Sequence, residues 1–400
     1  MGLAQVNIQK LLDDGKTFIK NGKRTTFFTS CSYVGLENDP RLYAAAKEAI
    51  DNFGIQFSSS RAYLEIPLYP EMESLLSEIF GSPTLLAPTT TLGHMSLIPL
   101  FVGKNDAVII DQQAHSSIQT AMGLVKGSGT HIEFVRHNRM DKLADKVKSL
   151  KDKHDKVWYF ADGIYSMFGN AAPIADLQAM LDLYENFHVY IDDAHGMSWD
   201  GIHGSGYVLS RMPLHERMVF ITTLAKGFGV AGSAMVFKNE EIKRTIRNVS
   251  PALMFSGPIQ PANLGALIAS AKIHLSDEIY ARQTKVKDLI HYFNLTAKSL
   301  KLPLVGEDKT PIFFIGVGTP ESGYEACRRM LARGYFLNIA VYPAVPYKNT
   351  GLRITVTHHI TKTDIYEMLN TLAEILADLE KEWRLSKAEI FKAFAMPQPA

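Results

Sequence analysis

Three short runs of β-branched and aromatic residues, Val157-Trp158-Tyr159-Phe160, Val189-Tyr190-Ile191 and Val219-Phe220-Ile221-Thr222-Thr223, each end abruptly in polar side chains. Strands that read as apolar on both faces belong to parallel sheets covered by helices on each side. The same form recurs at residues 84–87 and 107–111, with helical periodicity between the runs. Strand, helix and strand alternate along most of the chain, which predicts an α/β architecture with a mostly parallel sheet and right-handed crossovers. In such sheets ligands bind beyond the carboxyl ends of the strands, so the side chains at those ends are the first candidates for chemistry.

Two of the ends carry a carboxylate and a lysine. The run from His188 closes in Asp192-Asp193-Ala194-His195, and Thr223-Leu224-Ala225 leads to Lys226, which is followed by Gly227, Gly229 and Gly232. Pyridoxal phosphate (PLP) chemistry asks a protein for this pair: a lysine to condense with the aldehyde, and a carboxylate to keep the pyridine nitrogen protonated so that the ring accepts electrons from a substrate carbanion. Lys226 and Asp192 are the candidates. Each signal alone has a plainer reading, the lysine as a surface-loop residue and the aspartates as a helix cap or metal ligands. Joined in this order they favour the cofactor.

Asp192-Asp-Ala-His195 followed by Thr223-Leu-Ala-Lys226, with Gly201, Gly204 and Gly206 between them, resembles the α-oxoamine synthase family of fold-type I PLP enzymes, and the similarity runs from about Ser32 to about His358. The resemblance implies a large domain with a mostly parallel seven-stranded sheet between helices, a smaller α+β C-terminal domain and a short N-terminal arm. The boundaries expected are 1–45 for the arm, 46–274 for the PLP-binding domain and 275–400 for the small domain with its terminal helix and tail. Val6, Ile8, Leu11 and Leu12 lie at roughly helical spacing, so the arm is expected to hold a helix, followed by a hairpin turning at Asn21-Gly22.

The resemblance also implies roles. Lys226 bonds the cofactor, Asp192 pairs with the pyridinium nitrogen, His195 contacts the phenolic oxygen and Thr223 helps hold the phosphate. His115, after Asp111-Gln-Gln-Ala, lies flat on the ring. Thr90 and Thr91 open a helix after Pro88-Thr89, and backbone N–H groups at a helix N-terminus suit a phosphate. Ser166, within Asp162-Gly-Ile-Tyr-Ser-Met-Phe-Gly169, sits near the ring oxygen. Ser256 and Gly257 reach the phosphate of a partner subunit's cofactor, which implies a homodimer with a shared active site. Arg353, in Leu-Arg-Ile-Thr after Pro343-Ala-Val-Pro346, binds the amino acid carboxylate, a task that suits a guanidinium fork; Ser32 and Tyr69 face the substrate. The activity implied is condensation of an amino acid with an acyl-CoA or acyl-carrier-protein thioester, usually with loss of the carboxylate. Ser32, Glu65-Ile66, Tyr69, His94 in place of asparagine and Phe168 in place of aspartate depart from the family pattern. They are expected on the substrate-facing side, marking a divergent member with its own substrates. A fold-type I aminotransferase or lyase and a non-catalytic PLP-binding homologue remain open at this point.

Composition sets the outer bounds. At 400 residues, with 46% apolar and 21% charged residues and a formal charge of +1, the chain can bury a large core and gives no support to nucleic acid or membrane as its main partner. Cys31 and Cys327 lie far apart without metal-ligand spacing, so no metal is expected. Without a signal pattern or an apolar run of spanning length, a cytoplasmic enzyme is expected.

Overall fold

The computed structural model describes residues 5–306, 309–383 and 386–397. The chain divides into two compact units, one of Leu36–Tyr165 with Ala171–Gln283, the other of Met1–Gly35 with Ser166–Asn170 and Thr284–Ala400.

The first unit is built on seven strands: β1 (Thr84–Ala87), β2 (Ala107–Asp111), β3 (His131–Val135), β4 (Val157–Asp162), β5 (Phe187–Asp192), β6 (Met218–Thr223) and β7 (Ser233–Val236). Their order across the sheet is β1-β7-β6-β5-β4-β2-β3, and only β7 runs against the rest. This is the α/β fold that the alternation of runs predicts. Strands β2, β4, β5 and β6 are buried almost throughout, which is why their sequences show no polar face. Helices α1 (Pro40–Phe53) and α2 (Leu68–Phe80) precede β1, and α3 (Thr90–Phe101) and α4 (Ser116–Lys126) fill the connections after β1 and β2.

The loop after β5 is fixed by a buried carboxylic acid. Asp193 is fully buried, its Oδ2 accepts from the Val208 N–H at 3.0 Å, and burial pushes its carboxyl well above the ordinary pKa. Glycines make room for it: a Cβ on Gly206, whose φ is +107°, would stand 2.5 Å from that oxygen, and one on Gly163 would stand 2.2 Å from the other. Gly206→Ala is therefore expected to cost roughly 2–4 kcal/mol in chemical denaturation, combining backbone strain with a clash. Gly123, inside α4 with no atom within 4 Å of an added Cβ, is the control. Its replacement by alanine should stabilise by up to about 1 kcal/mol.

The second unit holds a three-stranded antiparallel sheet with Thr350–Thr355 in the centre, flanked by Ile312–Gly318 and Asn338–Ala340. The helix Lys362–Trp383 buries Ile365, Met368, Leu369, Leu372, Ile375, Leu376 and Leu379, the stripe its periodicity predicts. The hairpin forms as expected: Thr17–Lys20 pairs with Lys23–Phe27, and Asn21 and Gly22 both take positive φ, as a two-residue turn that matches strand twist requires. The helix expected before it does not form. Lys10–Leu11 instead pair as a short strand with Phe18 and Ile19. Val6 and Ile8 are two apart rather than three or four, and Ile8 and Leu11 are exposed, so no apolar helical face exists to be buried. The end of the expected tail, 398–400, lies outside the described residues.

Candidate active site

At the carboxyl ends of β2, β4, β5 and β6 a cavity of about 280 Å³, near the lower end of small-molecule sites, is lined by Thr90, Thr91, His115, Asp162, Asp192, His195, Thr223 and Lys226 among others. Seven of these eight are residues that the sequence singles out. They come from four separate strand ends and one helix start, as the rule for open sheets requires.

Asp192 is 4% exposed, yet it has the means to stay ionised. Burial favours its neutral form, but a hydrogen bond from His94, the positive charge of Lys226 and the Ala194 N–H outweigh it and bring the carboxyl below its ordinary pKa. Asp162 is the counterpart. It ends β4 in direct register with Asp192 on β5, so the two carboxyls lie side by side. Burial and then the charge of Asp192 push Asp162 well above the ordinary carboxylate range, the opposite direction from its neighbour. Its Oδ1 accepts from the backbone N–H of His115 at 3.1 Å, which ties the β2 loop to β4.

Lys226 Nζ donates to His195 Nε2 at 2.9 Å. His195 is held from behind: its carbonyl accepts from the Trp199 indole N–H at 2.7 Å. His115 caps α4, its Nδ1 accepting from the Ser117 N–H at 3.3 Å, and its ring is exposed at the cavity. Partial burial, helped by the charge of Lys226, outweighs the opposing charge of Asp192 and pushes its pKa below the ordinary value, so the neutral ring is the form at neutral pH.

The threonine cluster before α3 divides its labour. Thr89 is the cap, its Oγ1 accepting from the Leu92 N–H at 3.1 Å. Thr90 and Thr91 are left with hydroxyls and first-turn N–H groups at the cavity, an arrangement that favours an anion. A flat neutral imidazole, an ionised carboxylate, a lysine and an anion-binding helix end on one cavity fit PLP in charge and in donor type.

The remaining residues singled out in the sequence lie elsewhere. Ser256 and Gly257 line a second cavity, of about 630 Å³, together with Arg61 and Tyr69. The Tyr69 hydroxyl there accepts from the Ile259 N–H at 2.6 Å, and the Arg61 guanidinium lies 3.8 Å above its ring. Ser32, Ser166 and Arg353 belong to the second unit. Arg353 Nε donates to the Ser166 carbonyl at 2.6 Å, and Ser32 Oγ lies 3.0 Å from Ser30 Oγ. Arg353 forms no ion pair with any described residue, although it is half-buried in a sheet. Phe168 packs on Phe314 at 4.7 Å between ring centres, in an apolar cluster with Met167, Val345 and Phe394. His94, expected to face substrate, is instead fully buried behind Asp192.

A profile of the aminotransferase class I and II family matches residues 27–372. The chain belongs to that family. Within this aminotransferase family its relatives are α-oxoamine synthases. The 8-amino-7-oxononanoate synthase of Fervidobacterium nodosum is 31% identical over 369 residues, 90% of this chain and 91% of that one. That of Thermosipho melanesiensis is 30% identical over 88% of each. Among solved structures, a serine palmitoyltransferase from S. paucimobilis superposes with a TM-score of 0.86 at 20% identity, covering 94% of this chain and 93% of that one. An 8-amino-7-oxononanoate synthase from Francisella tularensis gives 0.73 at 17% identity, covering 90% and 99%. These likenesses show the fold, the fold-type I architecture of PLP-dependent transferases, and PLP is the cofactor of this family member. Among the described residues no helix is long and apolar enough to cross a membrane.

Proposed function

We propose that the protein is an acyltransferase that condenses an amino acid with an acyl thioester, releasing the amino acid's carboxylate as carbon dioxide and giving an α-amino ketone. The observation that carries this reading is one cavity holding Lys226 paired with His195 opposite an ionised Asp192, in a chain that follows the oxononanoate synthases over nine-tenths of its length. Bound PLP supplies the electron sink that makes the α-carbon of the amino acid nucleophilic. Lys226 would be the residue that bonds the cofactor, and its Nζ is the base placed to take the α-proton. Asp192 would hold the pyridine nitrogen. His115 would face the ring, His195 and Ser166 would serve its oxygen, and Thr90, Thr91 and Thr223 would receive the phosphate.

Arg353 takes the amino acid carboxylate. A half-buried guanidinium without a carboxylate partner among the described residues favours this over the plainer reading of a surface ion pair. Ser32 and Tyr69 complete the substrate side, Tyr69 as wall because its hydroxyl is engaged. The apolar cluster at Phe168 favours a substrate without a second charged group at that corner. The acyl donor is a CoA or carrier-protein thioester.

The active unit is a homodimer in which Ser256 and Gly257 serve the partner subunit's cofactor. Their loop is tied to the preceding one, Ser60 Oγ donating to the Met254 carbonyl at 2.7 Å, and Tyr63 and Phe255 on these two loops are 83% and 79% exposed. Large apolar side chains left open on two loops that are tied together support a contact surface there. The enzyme works in the cytoplasm.

An absorbance titration of the purified holoenzyme with single amino acids, with and without acyl-CoA, tests the proposal. One amino acid should shift the visible spectrum, and one thioester should then release free thiol and carbon dioxide. Conversion to pyridoxamine phosphate without thiol release would make the protein an aminotransferase, and failure to take up PLP would make it a non-catalytic homologue.

A further inference from the structure

Asp192 makes one polar contact with a fully buried residue that does not line the cavity. Tyr190 and Asp192 are two apart on β5, so their side chains leave the same face of the sheet. His94 bridges them: its Nδ1 lies 2.8 Å from the Tyr190 hydroxyl and its Nε2 3.1 Å from Asp192 Oδ2. All three side chains are buried, His94 and Tyr190 completely. We propose that His94 is a positioning residue: backed by the Tyr190 hydroxyl, it holds the Asp192 carboxylate in one orientation toward the cavity, so that the three side chains act as one hydrogen-bonded unit. The inference rests on the reading that Asp192 receives the pyridine nitrogen of PLP.

The chemistry of the carboxylate fixes the direction of one bond. An ionised carboxylate only accepts, so His94 Nε2 carries a proton and donates to Asp192. Burial keeps the Tyr190 hydroxyl protonated, 2.8 Å from the opposite ring nitrogen, Nδ1. The phenol itself is held by its ring, which stacks on Phe160 at 4.6 Å and 14°. Asp192 Oδ1 is fixed independently by the Ala194 N–H at 2.9 Å, so both oxygens of the carboxylate are held. His94 stands four residues after Thr90 on α3, one turn along the same face. A single helix thus brings the anion-binding N-terminus and the donor for Asp192 to the site together. In His94→Asn the donor and acceptor would lie on one short amide, without the nitrogens on opposite sides of a ring that let His94 reach Asp192 and Tyr190 together.

Two measurements on full-length protein test this. In cofactor-free protein labelled with ¹⁵N-histidine, one downfield Nε2–H resonance should vanish in His94→Leu and His94→Asn and move in Tyr190→Phe, which keeps the ring and its stacking. The dissociation constant for PLP should rise by about tenfold or more in His94→Leu, the loss of one charge-assisted hydrogen bond, and less in His94→Asn. A His94 protonated on Nδ1 alone, or a PLP affinity unchanged in a folded His94→Leu, would overturn the proposal. Wild-type protein that shows the resonance but takes up no PLP would support the hydrogen-bonded unit and refute the proposed function.

Discussion

Lys226→Ala is expected to lose the visible absorbance of lysine-bound PLP completely and to lower the condensation rate by about 10⁴-fold. Both effects have one origin. In the proposed reaction the Nζ both bonds the cofactor and takes the α-proton, and within hydrogen-bonding distance of it His195 is a partner that cannot replace it covalently. PLP should still bind, because Asp192, Thr90, Thr91 and Thr223 are untouched, and Lys226→Arg should behave like the alanine variant despite keeping the charge. An undiminished band in either purified variant would refute the assignment of Lys226.

Arg353→Ala is expected to raise the dissociation constant for the amino acid by about a hundredfold while changing the affinity for PLP by less than about threefold. The guanidinium is held in place on one side only, by its Nε–H bond to the Ser166 carbonyl. Among the described residues its other polar contact is the weak acceptor Cys31 Sγ at 3.6 Å, which leaves strong donors for a carboxylate. Arg353→Lys should recover part of the binding, since an ammonium supplies the charge but not the fork. Equal loss of amino acid and PLP affinity would assign Arg353 to the structure of its sheet instead.

The cofactor cradle was legible because its residues stand at the ends of strands whose sequences are unmistakable. Asp192, His195, Thr223 and Lys226 all follow apolar runs, and parallel strands present their last side chains together. Asp162 ends such a run too, but its part follows from register with Asp192, which no single strand reveals. Tyr190 was hidden for a different reason: an aromatic residue in mid-strand reads as core, and its hydroxyl matters only through a helix nearly a hundred residues away. His94 stood out as a departure from the family pattern, yet the side of the site on which it acts is set by the turn of α3. The missing N-terminal helix is a case of pattern without a partner, since four apolar residues at loose spacing find no surface to cover. The threonines before α3 show the opposite. Thr89 is taken up by the cap, while its neighbours Thr90 and Thr91 line the cavity.

The reversed strand β7 gives Lys226 a short leash. Because β7 returns alongside β6, the lysine sits on a closed loop rather than on a crossover to a distant part of the sheet. The loop is cinched from both sides: the Leu224 N–H donates to the Gly232 carbonyl at 2.8 Å, the Val230 N–H to the Leu224 carbonyl at 3.0 Å and the Gly229 N–H to the Lys226 carbonyl at 2.9 Å. Main-chain travel is therefore withheld from the lysine, and its range of motion is that of its own methylene arm. In the proposed reaction, an amine that must let go of the cofactor and later reclaim it would stay within one side-chain length of its starting point.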